Sequence, residues 1–193
     1  MHDEIRTANL LGAASLALSD LLLAGVTTAA GTSSSGAAAL VVLSTDPGLS
    51  VTELGRRVGL TQSAAARMVD GLEKQGLIRR ESTWGRWVAI HPTSAGKQAA
   101  RSLLTSRGDT LRGALHHLDE DEQAQLDALL SKLLAGLYRQ PGDAERLCRL
   151  CDRGVCVRND AICPVGRADR EHAERDREHA EPERRVRADQ DGG

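Results

Sequence analysis

All four cysteines of the 193-residue chain fall within sixteen residues, spaced Cys148-x2-Cys151-x4-Cys156-x6-Cys163. Four thiolates in a short, loop-rich segment can close a tetrahedral shell around Zn²⁺ or ligate an iron–sulfur cluster, and the leading C-x2-C is a local chelating signal. The remaining spacing matches no single site type. Redox-sensing thiols, and thiols with no defined role, therefore stand beside the two metal readings. Arg146, Arg149, Arg153 and Arg158 would lower the thiol pKa values, which suits metal binding and redox sensing alike; the same arginines also read as a solvated basic surface. His172 and His179 are possible further ligands but read as solvated side chains.

A second kind of chemistry is electrostatic. Net charge is only -2, yet residues 50–101 hold nine basic side chains (Arg56, Arg57, Arg67, Lys74, Arg79, Arg80, Arg86, Lys97 and Arg101) against four acids. A basic middle inside an acidic chain points to a localised polyanion-binding face. Within it, 51–76 has the layout of a helix-turn-helix, with a tight turn at Gly59-Leu60. Leu54, Val58, Leu60, Ala65, Met68, Val69 and Leu72 are spaced to hold the two helices together. Gln62, Ser63, Ala64, Ala66 and Arg67 are left on the outer face, where small residues admit the backbone to a groove floor. Gln62 and Arg67 supply donors for base edges or phosphates. The same pattern also fits an ordinary helical hairpin.

The elements that must position these residues follow from periodicity and turn signals. A helix is expected over 5–24, where Leu11, Ala14, Leu18, Leu21 and Leu22 form one stripe. A loop is expected over 27–36 and a short apolar helix over 37–45, closed by Asp46-Pro47-Gly48. Ser50 caps a helix ended by Gly59, and Thr61 caps a second that runs to Gln75 and stops at Gly76. Strands over 77–82 and 87–92 flank a hairpin tip at Thr83-Trp84-Gly85-Arg86. Thr93 or Ser94 caps a long helix to about His117. Leu126, Leu129, Leu130, Leu133, Leu134 and Leu137 then repeat with helical period after the acidic start at 119–122, which suits the positive end of the helix dipole. A stripe this wide needs a partner surface, either within the same subunit or, as the helices at both chain ends favour, on a second subunit.

Three passages together resemble the MarR family of regulators: LSVTELGRRVGLTQS at 49–63, RMVDGLEKQGLIRR at 67–80, and Arg86 followed by TSAG at 93–96. The resemblance runs over residues 5–138 and is specific from 49 to 97. It implies a mainly α fold: a winged helix-turn-helix core with a two-stranded β-wing, flanked by N- and C-terminal helices that build a triangular homodimer. It implies binding to double-stranded DNA at a pseudo-palindromic operator, usually as a repressor released by a small molecule or an oxidant. Family members often hold aromatic acids between the dimer helices and the DNA-binding lobe. By position, the resemblance puts Gln62, Ser63, Ala64 and Arg67 in the major groove and Arg86 at the wing tip in the minor groove; independently of it, the basic shoulders at Arg79, Arg80 and Lys97 suit Arg86 to a narrow, negative groove. Trp84 stands where the family usually has an Asp bracing that arginine, and Pro92 stands where a leucine is usual.

The expected organisation is a dimerisation helix and loop over 1–36, the winged helix-turn-helix over 37–98, C-terminal dimerisation helices over 99–140, the cysteine segment over 141–166, and a charged tail over 167–193 that is disordered or marginally helical. Acids near the start and Asp20 within the apolar run speak against a secretory signal, and no stretch reads as apolar enough to span a bilayer. The cytoplasm is the expected compartment. No phosphate-cradling loop or G-x-S-x-G elbow occurs, and His116-His117 lack a nucleophile partner, so no enzyme is expected. Two rivals remain: a metal- or redox-carrier whose function lies in the cysteines, and a helix-turn-helix that binds acidic protein.

Overall fold

The computed structural model describes residues 3–82 and 88–190, with the side chains of all of these except 26, 30 and 178–190. It divides into two units, Met1–Asp119 with Arg149–Cys151, and Glu120–Cys148 with Asp152–Gly193. The stretch expected to form one pair of dimerisation helices is thus shared: its first helix belongs to the first unit and its second to the other.

The first unit opens with α1 (Glu4–Ala30), capped by Asp3, whose carboxylate accepts from Arg6 N. It runs past the expected end because Thr27 and Thr28 fold their hydroxyls back onto the carbonyls of Leu23 and Ala24, which lets both threonines stay helical. Gly31, at φ 61°, ends it. α2 (Ser34–Thr45) follows after a Ser33 cap, so the expected ten-residue loop shrinks to a short link. Every residue from Gly36 to Leu43 is buried, because α2 is surrounded on all sides by its neighbours. Around it pack α3 (Val51–Val58), α4 (Gln62–Lys74), the antiparallel pair β1 (Ile78–Ser82) and β2 (Val88–Pro92), and α5 (Ser94–Leu115). Leu40, Leu43, Leu54, Val69, Leu72, Ile78, Ile90 and Leu103 are 2% exposed or less, and Leu60 and Met68 lean on the same core, as their spacing predicts. Leu49 adds one antiparallel bridge to Ile90. Leu150, from the cysteine segment, also packs here.

α1 lies along α5, where Gly25 faces Ser106 and Thr110, but most of its apolar surface has no cover. Ile5, Leu10, Leu11, Leu16, Leu21 and Leu23 are all exposed. The expectation that no stretch could span a bilayer is corrected: by length and composition α1 can.

The second unit holds α6 (Glu120–Leu137), α7 (Asp143–Leu147), α8 (Arg153–Cys156), a 3₁₀ turn at Arg158–Asp160 and α9 (Pro164–Gln190). The tail expected to be disordered or marginally helical is a helix anchored on α6. Tyr138, 9% exposed, donates to Asp169 at 2.7 Å and meets the His172 ring edge-on at 5.8 Å. Burial, then the bond to Asp169, pushes the Tyr138 hydroxyl up to about 12. The leucine stripe is mostly uncovered: Leu126 is half-buried, while Leu129, Leu130, Leu133, Leu134 and Leu137 remain exposed.

One glycine fixes the approach of α5 to the sheet. A Cβ on Gly96 would sit 1.9 Å from the Leu77 carbonyl oxygen, while one on Gly113 would meet open space. Gly96→Ala should therefore lose about 1–3 kcal/mol in urea unfolding through forced backbone displacement. Gly113→Ala in the same helix should be neutral or gain up to about 1 kcal/mol. Equal behaviour of the two would refute the packing argument.

Candidate nucleic-acid interface

The helix-turn-helix is built from local signals that each have a visible job. Ser50 Oγ accepts from Glu53 N and caps α3; Gly59, at φ 76°, ends it. Leu60 N donates to the Gly55 carbonyl at 2.8 Å, closing the turn, and Thr61 caps α4. Gly55 is required by the crossing of the helices: a Cβ there would lie 2.6 Å from that of Ala65.

At the start of α4, Gln62, Ser63 and Arg67 are exposed, as the spacing predicts. Ala64 and Ala66 are half-buried, so the outer face is narrower than expected and is carried by the three polar side chains. Arg86 and Trp84, with the whole tip at 83–87, lie outside the described residues.

The basic residues divide into two sets. Arg56 and Arg57 both pair with Glu53, and Arg57 also reaches Asp46. Arg79 pairs with Glu81 at 2.6 Å on the exposed face of β1. Arg80 donates to Asp70 at 2.6 Å and to Glu73, so it faces α4 and is not the open shoulder that the sequence suggests. Arg67, Lys74, Lys97 and Arg101 are exposed and carry no ion pair among the described residues. The positive surface is therefore smaller than the residue count implies. The Glu53 pairs sit at i,i+3 and i,i+4 spacing and are legible in the sequence; the Asp70 and Glu73 pairs with Arg80 need the strand to fold back.

The ion pairs leave their mark on protonation. The hydrogen bond from Arg56 does most to hold Glu53 down to about 2 from its ordinary 4.5, Arg57 adding to it against the opposing cost of burial. The Asp70 hydrogen bond is the main reason that the Arg80 guanidinium holds its proton more tightly than usual.

In the cysteine segment all four side chains are thiols, Cys148, Cys151 and Cys163 half-buried and Cys156 exposed. Cys151 belongs to the first unit and the other three to the second. Within either unit, no group of three or more His, Cys, Asp or Glu is placed to hold a metal among the described residues. Cys163 sits just ahead of α9, where its sulfur accepts from Gly166 N at 3.5 Å. Asn159 and Asp160, both at positive φ, turn the chain between Cys156 and Cys163. His172, expected to be solvated, is half-buried: its ring meets Tyr138 edge-on and its Nδ1 pairs with Asp176 at 3.2 Å, while the side chain of His179 lies outside the described residues. An open polar trough runs along α5, lined by Gln98, Arg101, Ser102, Thr105, Ser106 and Thr110; it has no aromatic wall.

Two short helices joined by a tight turn, followed by a two-stranded hairpin and packed on a buried helix, define a winged helix-turn-helix protein. Comparison with known proteins narrows the class. Residues 30–83 match the model of the MarR family, and the winged helix-turn-helix of this chain is a MarR-family one. The chain is similar to a MarR family protein from Bacillus stearothermophilus, 22% identical over 72% of this chain and 100% of the other, with a TM-score of 0.62. It is also similar to MepR, a transcription regulator of the Staphylococcus aureus multidrug efflux pump MepA, 19% identical over 68% of this chain and 98% of that one, TM-score 0.61. A MarR-family transcriptional regulator from Silicibacter pomeroyi is 27% identical over 70% of this chain and 92% of its own, TM-score 0.53. No curated protein matches the sequence.

Because the folded-state value of Glu53 lies below its unfolded one, its contribution to stability is full above about pH 4.5 and is lost as the pH falls towards about 2. Thermal unfolding of Glu53→Gln and the parent should differ at neutral pH and converge across that window. A gap that stays constant from pH 7 to pH 2 would remove Glu53 from the acid response.

Proposed function

We propose that this chain is a sequence-specific DNA-binding transcriptional regulator of the cytoplasm, acting as a repressor and binding a pseudo-palindromic operator as a homodimer. The observation that carries the reading is the start of α4, where Gln62, Ser63 and Arg67 stand exposed on the second helix of a winged helix-turn-helix, with no ion pair on Arg67 among the described residues. An unpaired guanidinium there is available to a guanine edge or a phosphate, and small neighbours let the backbone approach. The exposed leucines of α1 and of α6 support the dimer, since apolar helix faces of this size call for cover and a second copy supplies it. Lys74, Lys97 and Arg101 are suited to phosphates and Arg86 to a narrow minor groove.

The regulatory input we assign to the cysteine segment. The sequence spacing of four thiols at 148–163, with a leading C-x2-C, suits Zn²⁺ as a structural tether, which would have to draw the thiols together, since no three candidate ligands are grouped to hold a metal within either unit among the described residues; an iron–sulfur cluster and thiol oxidation are the competing inputs. A small effector, the input that the family resemblance implies, is the further alternative.

Selection of bound sequences from random duplex DNA tests the main reading, and a chain with no preference at low salt sinks it. Arg67→Ala should lose about 1–3 kcal/mol on the selected operator and relax the choice of base. Arg86→Ala should weaken binding on every duplex and lower the slope of log affinity against log salt by about one. Protein purified without air should hold about one zinc per chain if the tether exists. A coloured protein points to iron–sulfur, and a metal-free one to thiol chemistry. Metal retained by a chain that ignores DNA would move the function to the cysteines.

A further inference from the structure

Two adjacent arginines on β1 face opposite ways. Side chains alternate along a strand, so Arg80 shares a face with Ile78, which is 2% exposed and rooted in the core, while Arg79 shares the solvent face with Glu81. Arg80 therefore looks back at α4, the helix that has just ended. The chain leaves that helix through Gly76, at φ 71°, with Gly76 N bonded to the Glu73 carbonyl and Leu77 N to that of Leu72. This pair of hydrogen bonds sets the direction of β1. The side chain of Arg80 then closes the loop by donating to Asp70 and Glu73.

Asp70 and Glu73 would be a liability on a DNA-reading helix. Two carboxylates one turn apart on α4 repel a phosphate backbone, and one guanidinium held between them offsets about half of that charge. The same bridging geometry, with one guanidinium nitrogen donating to each carboxylate, ties the helix to the strand that leads into the wing. Resting on the DNA-binding reading above, we infer that Arg80 is a positioning residue: it clamps the wing strand to the recognition helix and screens Asp70 and Glu73, and it makes no phosphate contact of its own. Arg79 is its built-in comparison, since it stands next in sequence on the opposite face.

The experiment is equilibrium binding of the full chain to its selected operator and to random duplex, across a range of salt concentrations. The proteins compared are the parent, Arg80→Ala, Arg79→Ala and Asp70→Asn/Glu73→Gln. Arg80→Ala should lose about tenfold or more on the operator and much less on random duplex, with the salt slope of the parent, because no counterion-releasing contact is removed. Asp70→Asn/Glu73→Gln should show the same loss of discrimination while binding random duplex at least as tightly as the parent, since two negative charges are gone. Combining it with Arg80→Ala should add nothing further to the loss of discrimination, the three side chains acting as one unit. A salt slope lowered by about one, with equal losses on both duplexes, would make Arg80 a phosphate contact and overturn the inference; so would Arg80→Ala binding like the parent. If Arg80→Ala does not fold by circular dichroism, Arg80→Gln and the carboxamide pair carry the same comparison. A parent chain without sequence preference is a different failure, that of the DNA-binding reading itself.

Discussion

The first unit depends on the burial of α2. Residues 36–43 of that helix are buried throughout, so its neighbours in this unit are arranged by what they place against it. Leu40 and Leu43 have no exposed surface, and Gly96 lets α5 come close to Leu40 and to the Leu77 carbonyl, both of which lie against the place a Cβ would take. A helix wrapped on every side has no polar face and little amphipathic pattern. It also leaves no freedom in where α3, α4 and the strand pair sit, which is what a reading head requires of its scaffold.

On that scaffold the surface is organised by charge pairing more than by charge count. Four arginines that look like DNA contacts on paper are engaged with Asp46, Glu53, Asp70, Glu73 and Glu81. Exposed pairs of this kind add little stability each. Their effect is geometric: they decide which guanidinium groups remain open, and the start of α4 is where one does. Arg67 projects from a helix whose two further carboxylates are partly screened by Arg80, so a nucleic acid would meet donors at the N-terminal half of the helix and a half-compensated acid pair further along.

The second unit is organised by one buried hydroxyl. Tyr138, the only tyrosine in the chain, closes α6 and receives α9 through Asp169 and His172. Asp143, also buried, accepts from the backbone of Arg139 and Gln140 and so ends the α6 turn. A charged tail with almost no apolar side chains would not be expected to hold a helix alone. Here one hydrogen bond, a ring contact and the buried Val165 supply the tertiary anchor that composition does not reveal.

Local chemistry was readable from the chain alone. The caps at Ser50, Thr61 and Thr93, the left-handed stops at Gly59 and Gly76, the core of the helix-turn-helix and the outward Gln62, Ser63 and Arg67 follow from spacing, because each depends on residues within one or two turns. The helix ends at Ala30 and Ser34 did not follow, since threonine back-bonds and an N-cap within a Ser/Thr/Gly run look like loop composition. What only the tertiary structure decided are pairings across long separations: Arg80 with Asp70, Arg57 with Asp46, Tyr138 with Asp169. Their physical reason is common to all three. A charged or polar side chain carries no mark in sequence of which distant partner the fold will bring to it, whereas a cap or a hydrophobic period is satisfied, or not, by its immediate neighbours.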